Sequence, residues 1–188
     1  MVPPCDHECV GVVIPDAGDT YWLLDRGKPP PGWAGVGDHL DDHGGPEAAA
    51  RAKTLEELSI TVVSLIPAFE DWLPNWCRRR HQPRKLGHHW HLFIAEWRGQ
   101  PTPEPEEARG LRRFHRRQLQ VLAERTAAYA IGDVTPPQFA ADPGLELPWA
   151  YWAHRLGLVD LPRDVLSRII DRSALPPDVL SLNSRTPS

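Results

Sequence analysis

Glu56 and Glu57 are adjacent carboxylates near the end of a short acidic stretch, GVGDHLDDHGGPEAAARAKTLEELSI, residues 35–60. Magnesium takes oxygen donors and is commonly held by one or two protein carboxylates, with water and substrate phosphate filling the other positions, so this pair is a candidate cation site. The bland alternative is a solvated helix face. Lys53 stands three and four residues before the pair, the spacing of helix ion pairs. Its ammonium either offsets one charge of a cation site or meets a phosphate directly, and the sequence leaves both open. Gly44 and Gly45 break the chain, Pro46 suits a first helical position and Glu47 complements the N-terminal dipole. A helix is therefore predicted from about residue 46 to about residue 58. Its spacing predicts a packing side made by Ala48, Arg51, Leu55 and Leu58, with Lys53, Glu56 and Glu57 on the other side.

Further acids could complete the set. Glu106 and Glu107 follow a run of prolines, and Asp41, Asp42 and Glu47 border the helix entrance; each is equally readable as a solvated loop residue. The basic run at residues 78–85 carries Arg78, Arg79, Arg80 and Arg84, whose guanidinium forks match phosphate oxygens, and Trp72 and Trp76 beside it could stack on a base. Cys5, His7, Cys9, Cys77, His81, His88, His89 and His91 are zinc-capable types. Their spacing matches no standard zinc motif, and Cys5 and Cys9 lack a chelating turn, so a structural zinc is not expected. Cys77 with a histidine base is a weaker nucleophile reading.

The elements that must position these groups follow from the apolar pattern. Residues 9–14 form a nearly continuous apolar run, the mark of a central strand buried on both faces, and residues 21–24 make its hairpin partner. A polyproline-like loop at residues 28–32 leads to Trp33, which anchors the turn into the acidic helix. Residues 59–69 read as a β-branched strand closed by Pro67, and residues 70–86 as a loop. Residues 88–97 alternate, with His89, His91, Phe93 and Ala95 on one face and Trp90, Leu92, Ile94 and Glu96 on the other. A last short strand is predicted at 110–115. Helices follow at 118–130, with a stripe of Leu119, Leu122, Thr126 and Tyr129, after Thr135, at 146–156 and at 163–170.

The chain has 188 residues, 41% hydrophobic, enough for one domain with a sizeable core. A net charge of −4 argues against a general nucleic-acid or membrane-surface protein. No apolar run reaches transmembrane length and the first residues lack a signal-peptide pattern, so the expected location is cytoplasmic. The odd count of three cysteines suits free thiols in a reducing compartment. Abundant arginine and 21 prolines suggest a GC-rich, bacterial source.

Residues 35–60 resemble a Nudix box, the loop-helix-loop G-x5-E-x7-R-E-U-x-E-E-x-G-U whose glutamates hold magnesium against a pyrophosphate. Aligned on Glu56 and Glu57, the stretch keeps Ile60 as the closing apolar residue and places Gly37 within one residue of the opening glycine. Gly44 stands in place of the first glutamate, Ala52 and Lys53 in place of Arg-Glu, Thr54 in place of the aliphatic residue and Ser59 in place of the late glycine. The turn His39-Leu40-Asp41-Asp42-His43-Gly44 is similar to an actinobacterial variant of the family. The resemblance covers residues 5–158 and implies an α+β fold, an α/β/α sandwich with a mixed sheet flanked by helices. It divides the chain into a Nudix-like domain at 1–160 and, packed on it, a C-terminal helix and tail at 161–188.

What the resemblance implies for function is Mg²⁺-dependent (or Mn²⁺-dependent) hydrolysis of a pyrophosphate bond in a nucleoside diphosphate linked to another group. The alternative is a Nudix fold that no longer hydrolyses and serves as a biosynthetic enzyme or small-ligand binder. The residues expected to act are Glu56, Glu57, Lys53 and Glu107, with Glu56 and Glu57 on the metal. Arg78, Arg79, Arg80, Arg84, Trp33, Trp76, His89 and His91 are expected to contact substrate. The partner expected is a small phosphorylated molecule, a nucleotide derivative rather than nucleic acid or membrane, and a homodimer is left open.

Overall fold

A computed structural model describes residues 5–79 and 86–177. Strand β1 (Glu8–Asp16) is the centre of a mixed sheet. Its first half pairs antiparallel with β4 (Val36–His39) and parallel with β6 (His88–Arg98), and its end pairs antiparallel with β2 (Thr20–Arg26). β2 carries the two-residue β3 (Trp33–Ala34) and β7 (Ala108–His115), while β5 (Thr61–Leu73) forms the far edge beside β6. The apolar run of β1 therefore lies inside the sheet because it is covered on both sides.

Helix α1 (Pro46–Leu58) covers one face, where Ala49, Ala50 and Leu58 pack with Val10, Val12, Val36, Phe93 and Ala95. The other face is covered by α2 (Arg116–Ile131), α3 (Pro136–Ala141), α4 (Leu147–Arg155) and α5 (Arg163–Ser173). There Trp149 and Trp152 of α4 pack on Cys9, Val13, Trp90 and Leu92, and Ile169 of α5 is fully buried among residues of α2 and α4. This is the α/β/α arrangement that the alternation in β6 requires.

Three expectations are corrected. The buried face of α1 is Ala49, Ala50, Thr54 and Leu58, while Ala48 and Arg51 are exposed and Leu55 is 57% exposed. Small side chains let the helix backbone approach the sheet closely, and this outweighs the gain from burying Leu55. Strand β5 does not close at Pro67: it runs to Leu73 and absorbs the proline at a register shift between Pro67 and Phe69, which an edge strand tolerates. Residues 70–73, expected in a loop, therefore belong to the strand.

Two local constraints are sharp. Ser59, where the Nudix pattern has glycine, closes α1 in the left-handed conformation at φ 56° and ψ 25°, its amide donating to the Leu55 carbonyl. Gly35 lies against the Trp149 indole, where an added Cβ would sit 2.6 Å from the ring. Ser59→Gly should raise stability by about 0.5–1 kcal/mol, the left-handed penalty minus the extra chain entropy of glycine. Gly35→Ala should cost about 1–3 kcal/mol by overpacking, and less in a Trp149→Phe background. Urea denaturation measures both; an unchanged midpoint in either variant contradicts the packing described.

Candidate active site and a thiol-imidazole cluster

The acidic helix turns its functional stripe inward. Ala49, Lys53 and Glu57 recur every four residues beside the buried line of Ala50, Thr54 and Leu58, so Lys53 and Glu57 face the protein while Glu56 lies at the rim. The Lys53 side chain is only 13% exposed, and its ammonium lies 3.0 Å from Glu56 Oε2 and 3.2 Å from Asp38 Oδ2. Asp38, on β4 opposite Val10, was not among the sequence-derived candidates. Burial opposes its ionisation, but hydrogen bonds from the His39 ring and amide and the charge of Lys53 hold its carboxyl well below the usual range.

Glu57 is half-buried. Burial pushes its carboxyl up to about 8; Asp38 adds to the rise, Arg26 opposes it, Glu107 adds again and Lys53 opposes. The loop before β7 brings Glu107 there. The amides of Thr102 and Glu104 donate to the carbonyls of Leu58 and Glu57 at 2.8 and 3.0 Å, stitching that loop to the end of α1. Glu107 is ion-paired with Lys28. Arg26 also approaches Glu146, a buried carboxylate, at 3.4 Å. Glu56, Glu57, Lys53 and Glu107 are thus gathered in one region, with Asp38 and Arg26 added. A half-buried carboxylate with other acids beside it fits a hard dication held by one or two carboxylates and completed by water and phosphate oxygens.

The expected substrate contacts fare differently. Arg79 is committed to Asp41 through two hydrogen bonds, one of 3.0 Å from Nη2 to Oδ2, so it is an internal strut rather than an open phosphate grip. Arg78 is exposed, and Arg80 and Arg84, like His81, lie outside the described residues. Trp33 packs edge-on against Phe114 with ring centroids 4.8 Å apart, and its backbone bonds to Gly144 and Glu146. It packs, half-buried, against the core between β3 and the C-terminal helices. Trp76 lines a groove with Pro148, Tyr129 and Arg172 on the C-terminal-helix side, and its amide donates to the Ser173 carbonyl. His91 Nε2 donates to Glu8 Oε2 at 2.9 Å, and His89 lies 3.3 Å from the same carboxylate and 3.5 Å from Glu70. Both histidines therefore sit in an acidic nest on the α1 face of the sheet.

Among the described residues two groups of metal-capable side chains converge: Glu8, His89 and His91, and separately Cys5, His39, Cys77 and His88. The second group comes from four separated segments. Absence of a local chelating turn, the ground on which the sequence reading set zinc aside, does not bear on such a site. Of the cysteine and histidine types singled out in the sequence, Cys5, Cys77 and His88 take part, and His39 joins them. The signal available was the polar His39 and Asn75 flanking apolar segments, which only the fold connects.

A NUDIX domain family profile matches residues 6–133. No curated protein matches the chain. Among solved structures, the Escherichia coli dihydroneopterin triphosphate pyrophosphohydrolase is similar at 18% identity and TM-score 0.53, covering 61% of this chain and 84% of that one. A NUDIX-family hydrolase from Clostridium perfringens is similar at 18% identity and TM-score 0.49, covering 61% and 85%. An Ap4A hydrolase from Caenorhabditis elegans follows at 19% identity and TM-score 0.47, covering 59% and 81%. With strand order, acidic helix and the profile match over more than half its length in agreement, the chain belongs to the Nudix family.

Proposed function

We propose that the protein hydrolyses a pyrophosphate bond in a nucleoside diphosphate linked to another group, in the presence of Mg²⁺ or Mn²⁺. The observation that carries this reading is the gathering of Glu57, Glu56 and Glu107 around the end of α1 in a chain of this family. Its similarity to a pyrophosphohydrolase of known structure supports the same reaction class. Glu57, with Glu56 or Glu107, would hold the cation, which when bound offsets the charge of the pyrophosphate oxygens.

The lysines give the site a distinctive charge balance. Lys53 is shared by Asp38 and Glu56, and Lys28 by Glu107. Lys53 and Lys28 would yield these carboxylates to a bound dication and would then be available to phosphate oxygens. On this reading cation and phosphorylated substrate would bind better together than singly. Arg78 at the surface and the His89–His91 pair on the sheet face are the described residues we assign to the far side of the substrate, with Arg80 and Arg84 on the same segment as Arg78.

A panel of dinucleotides and nucleotide sugars, incubated with and without Mg²⁺ or Mn²⁺ and scored for nucleoside monophosphate release, tests the reaction. At least one substrate should be cleaved in a cation-dependent manner. Glu57→Gln should lower kcat by about 100-fold or more, equivalent to about 2.7 kcal/mol of lost transition-state stabilisation, while the variant stays folded by circular dichroism. Full turnover by Glu57→Gln, or cleavage of no member of the panel, would move the assignment to a ligand-binding Nudix fold.

A further inference from the structure

We propose that Cys5, His39, Cys77 and His88 bind a structural Zn²⁺ ion. Cys5 Sγ lies 3.4 Å from His39 Nε2 and 3.3 Å from His88 Nε2, and Cys77 Sγ lies 3.3 Å from His39 Nε2. All four ligand atoms fall within 4.8 Å of one another. Zinc bonds of about 2.3 Å to sulfur and 2.0–2.1 Å to nitrogen at a tetrahedral angle separate sulfur from nitrogen by about 3.5 Å, close to these distances. The set of two thiols and two imidazoles is the composition of closed, four-coordinate zinc sites, and it leaves no position for a substrate.

The atoms around the cluster orient its imidazoles as a metal needs. His39 Nδ1 is 3.3 Å from Asp38 Oδ1, and His88 Nδ1 is 2.8 Å from Asn75 Oδ1. Trp90 Nε1 also donates to that Asn75 oxygen at 3.3 Å, which orients the amide with its acceptor towards His88. With Nδ1 donating on both rings, the two Nε2 lone pairs face the sulfurs, the arrangement by which carboxylates and amides orient metal-bound imidazoles. Each sulfur also accepts a hydrogen bond from a backbone amide. The amide of His7 donates to Cys5 Sγ at 3.4 Å and that of Arg79 to Cys77 Sγ at 3.3 Å, each two residues along the chain. Amide donors of this kind stabilise thiolate.

Position and charge agree. Cys5, Cys77 and His88 are 8%, 9% and 2% exposed, and two thiolates with one dication form a neutral unit at that depth. Soft sulfur ligands select zinc over magnesium, so this centre is distinct in donor chemistry from the carboxylates at α1. It would fasten the segment before β1, the end of β4, the chain after β5 and the start of β6. Asp41 already ties three of these segments, receiving Arg79 and donating its amide to Asp6 Oδ2 at 3.0 Å. Cys9 is close by but outside the set, a buried thiol whose pKa is raised chiefly by burial.

The test is metal analysis of the full chain purified without metal-affinity resin. Elemental analysis should find about one zinc per chain. Protein stripped by chelator and titrated with Co²⁺ alone should develop the visible bands of a tetrahedral sulfur-ligated cobalt centre, lost on adding Zn²⁺, and stripping should lower Tm. Asn75→Ala keeps all four ligands and should weaken zinc retention against a competing chelator by about 10–100-fold. Cys77→Ser should abolish the cobalt spectrum; should that variant fail to fold, the wild-type titration decides alone. Wild-type protein that holds no zinc, develops no cobalt bands and keeps its Tm in chelator would overturn the proposal and leave a hydrogen-bonded thiol-imidazole cluster. These readouts are independent of nucleotide cleavage, so the hydrolytic reading and the zinc site can fail separately.

Discussion

The register of β1 between β4 and β6 is the constraint on which both candidate sites depend. Val10 faces Asp38 on one neighbour and His91 on the other, whereas Cys9 faces His39 and Trp90. Alternation then sends Asp38 and His91 to the α1 face and His39 and Trp90 to the face of the C-terminal helices. A slip of one residue would exchange the two sets. The apolar burial of Val10, Val12 and Ile14 against α1, and of Val13 against Trp149 and Trp152, opposes such a slip. Chemistry on both faces of the sheet is thus held in place by the packing of a strand that carries almost none of it.

Asp38 and His39 join the two faces. Asp38 offers one oxygen to Lys53 on α1 and the other to the His39 ring. Lys53 is consequently a shared cation with a defined position, which the helix ion-pair spacing alone could not reveal. An Asp38 without Lys53 would be a half-buried anion beside Glu57, and one without the His39 ring would lose one of the hydrogen bonds that favour its ionised form. Asp38 and His39 thus form a direct chain of contacts from the sulfurs of Cys5 and Cys77 to Lys53 of the acidic site.

Local pattern made the central strand, its hairpin, the acidic helix and the alternation of β6 legible, because each is set by period and by neighbouring residues. The position of Glu107 beside the end of the helix was not legible in local pattern, which gave only a loop before the last strand. The inward face of α1 was not legible: Leu55 outranks alanine in any hydrophobic pattern, yet the spacing between helix and sheet admits only small residues there. Trp33 and Arg79 look like ligand contacts in sequence because their partners, Phe114 and Asp41, lie 81 and 38 residues away. The cluster of Cys5, His39, Cys77 and His88 was hidden for the same reason, Cys5 meeting His39 and His88 across 34 and 83 residues.

The departures from the Nudix pattern are accommodated by the local structure rather than breaking it. Thr54 stands where an aliphatic residue belongs and is fully buried, but its hydroxyl donates to the Ala50 carbonyl at 2.7 Å and so is not left unsatisfied. Ser59 accepts the left-handed conformation that the glycine would have supplied, and the helix still ends at its usual place. Neither replacement touches Glu56 or Glu57. Lys53 is different in kind, since it puts a positive charge into the acidic face itself. Asp38 and Glu56 bind that charge, leaving Glu57 and Glu107 as the acids of the region outside its direct ion pairs. Under the proposed function, cation binding would therefore fall to Glu57 and to Glu107 of the loop before β7, a loop held to the end of the helix by two backbone hydrogen bonds.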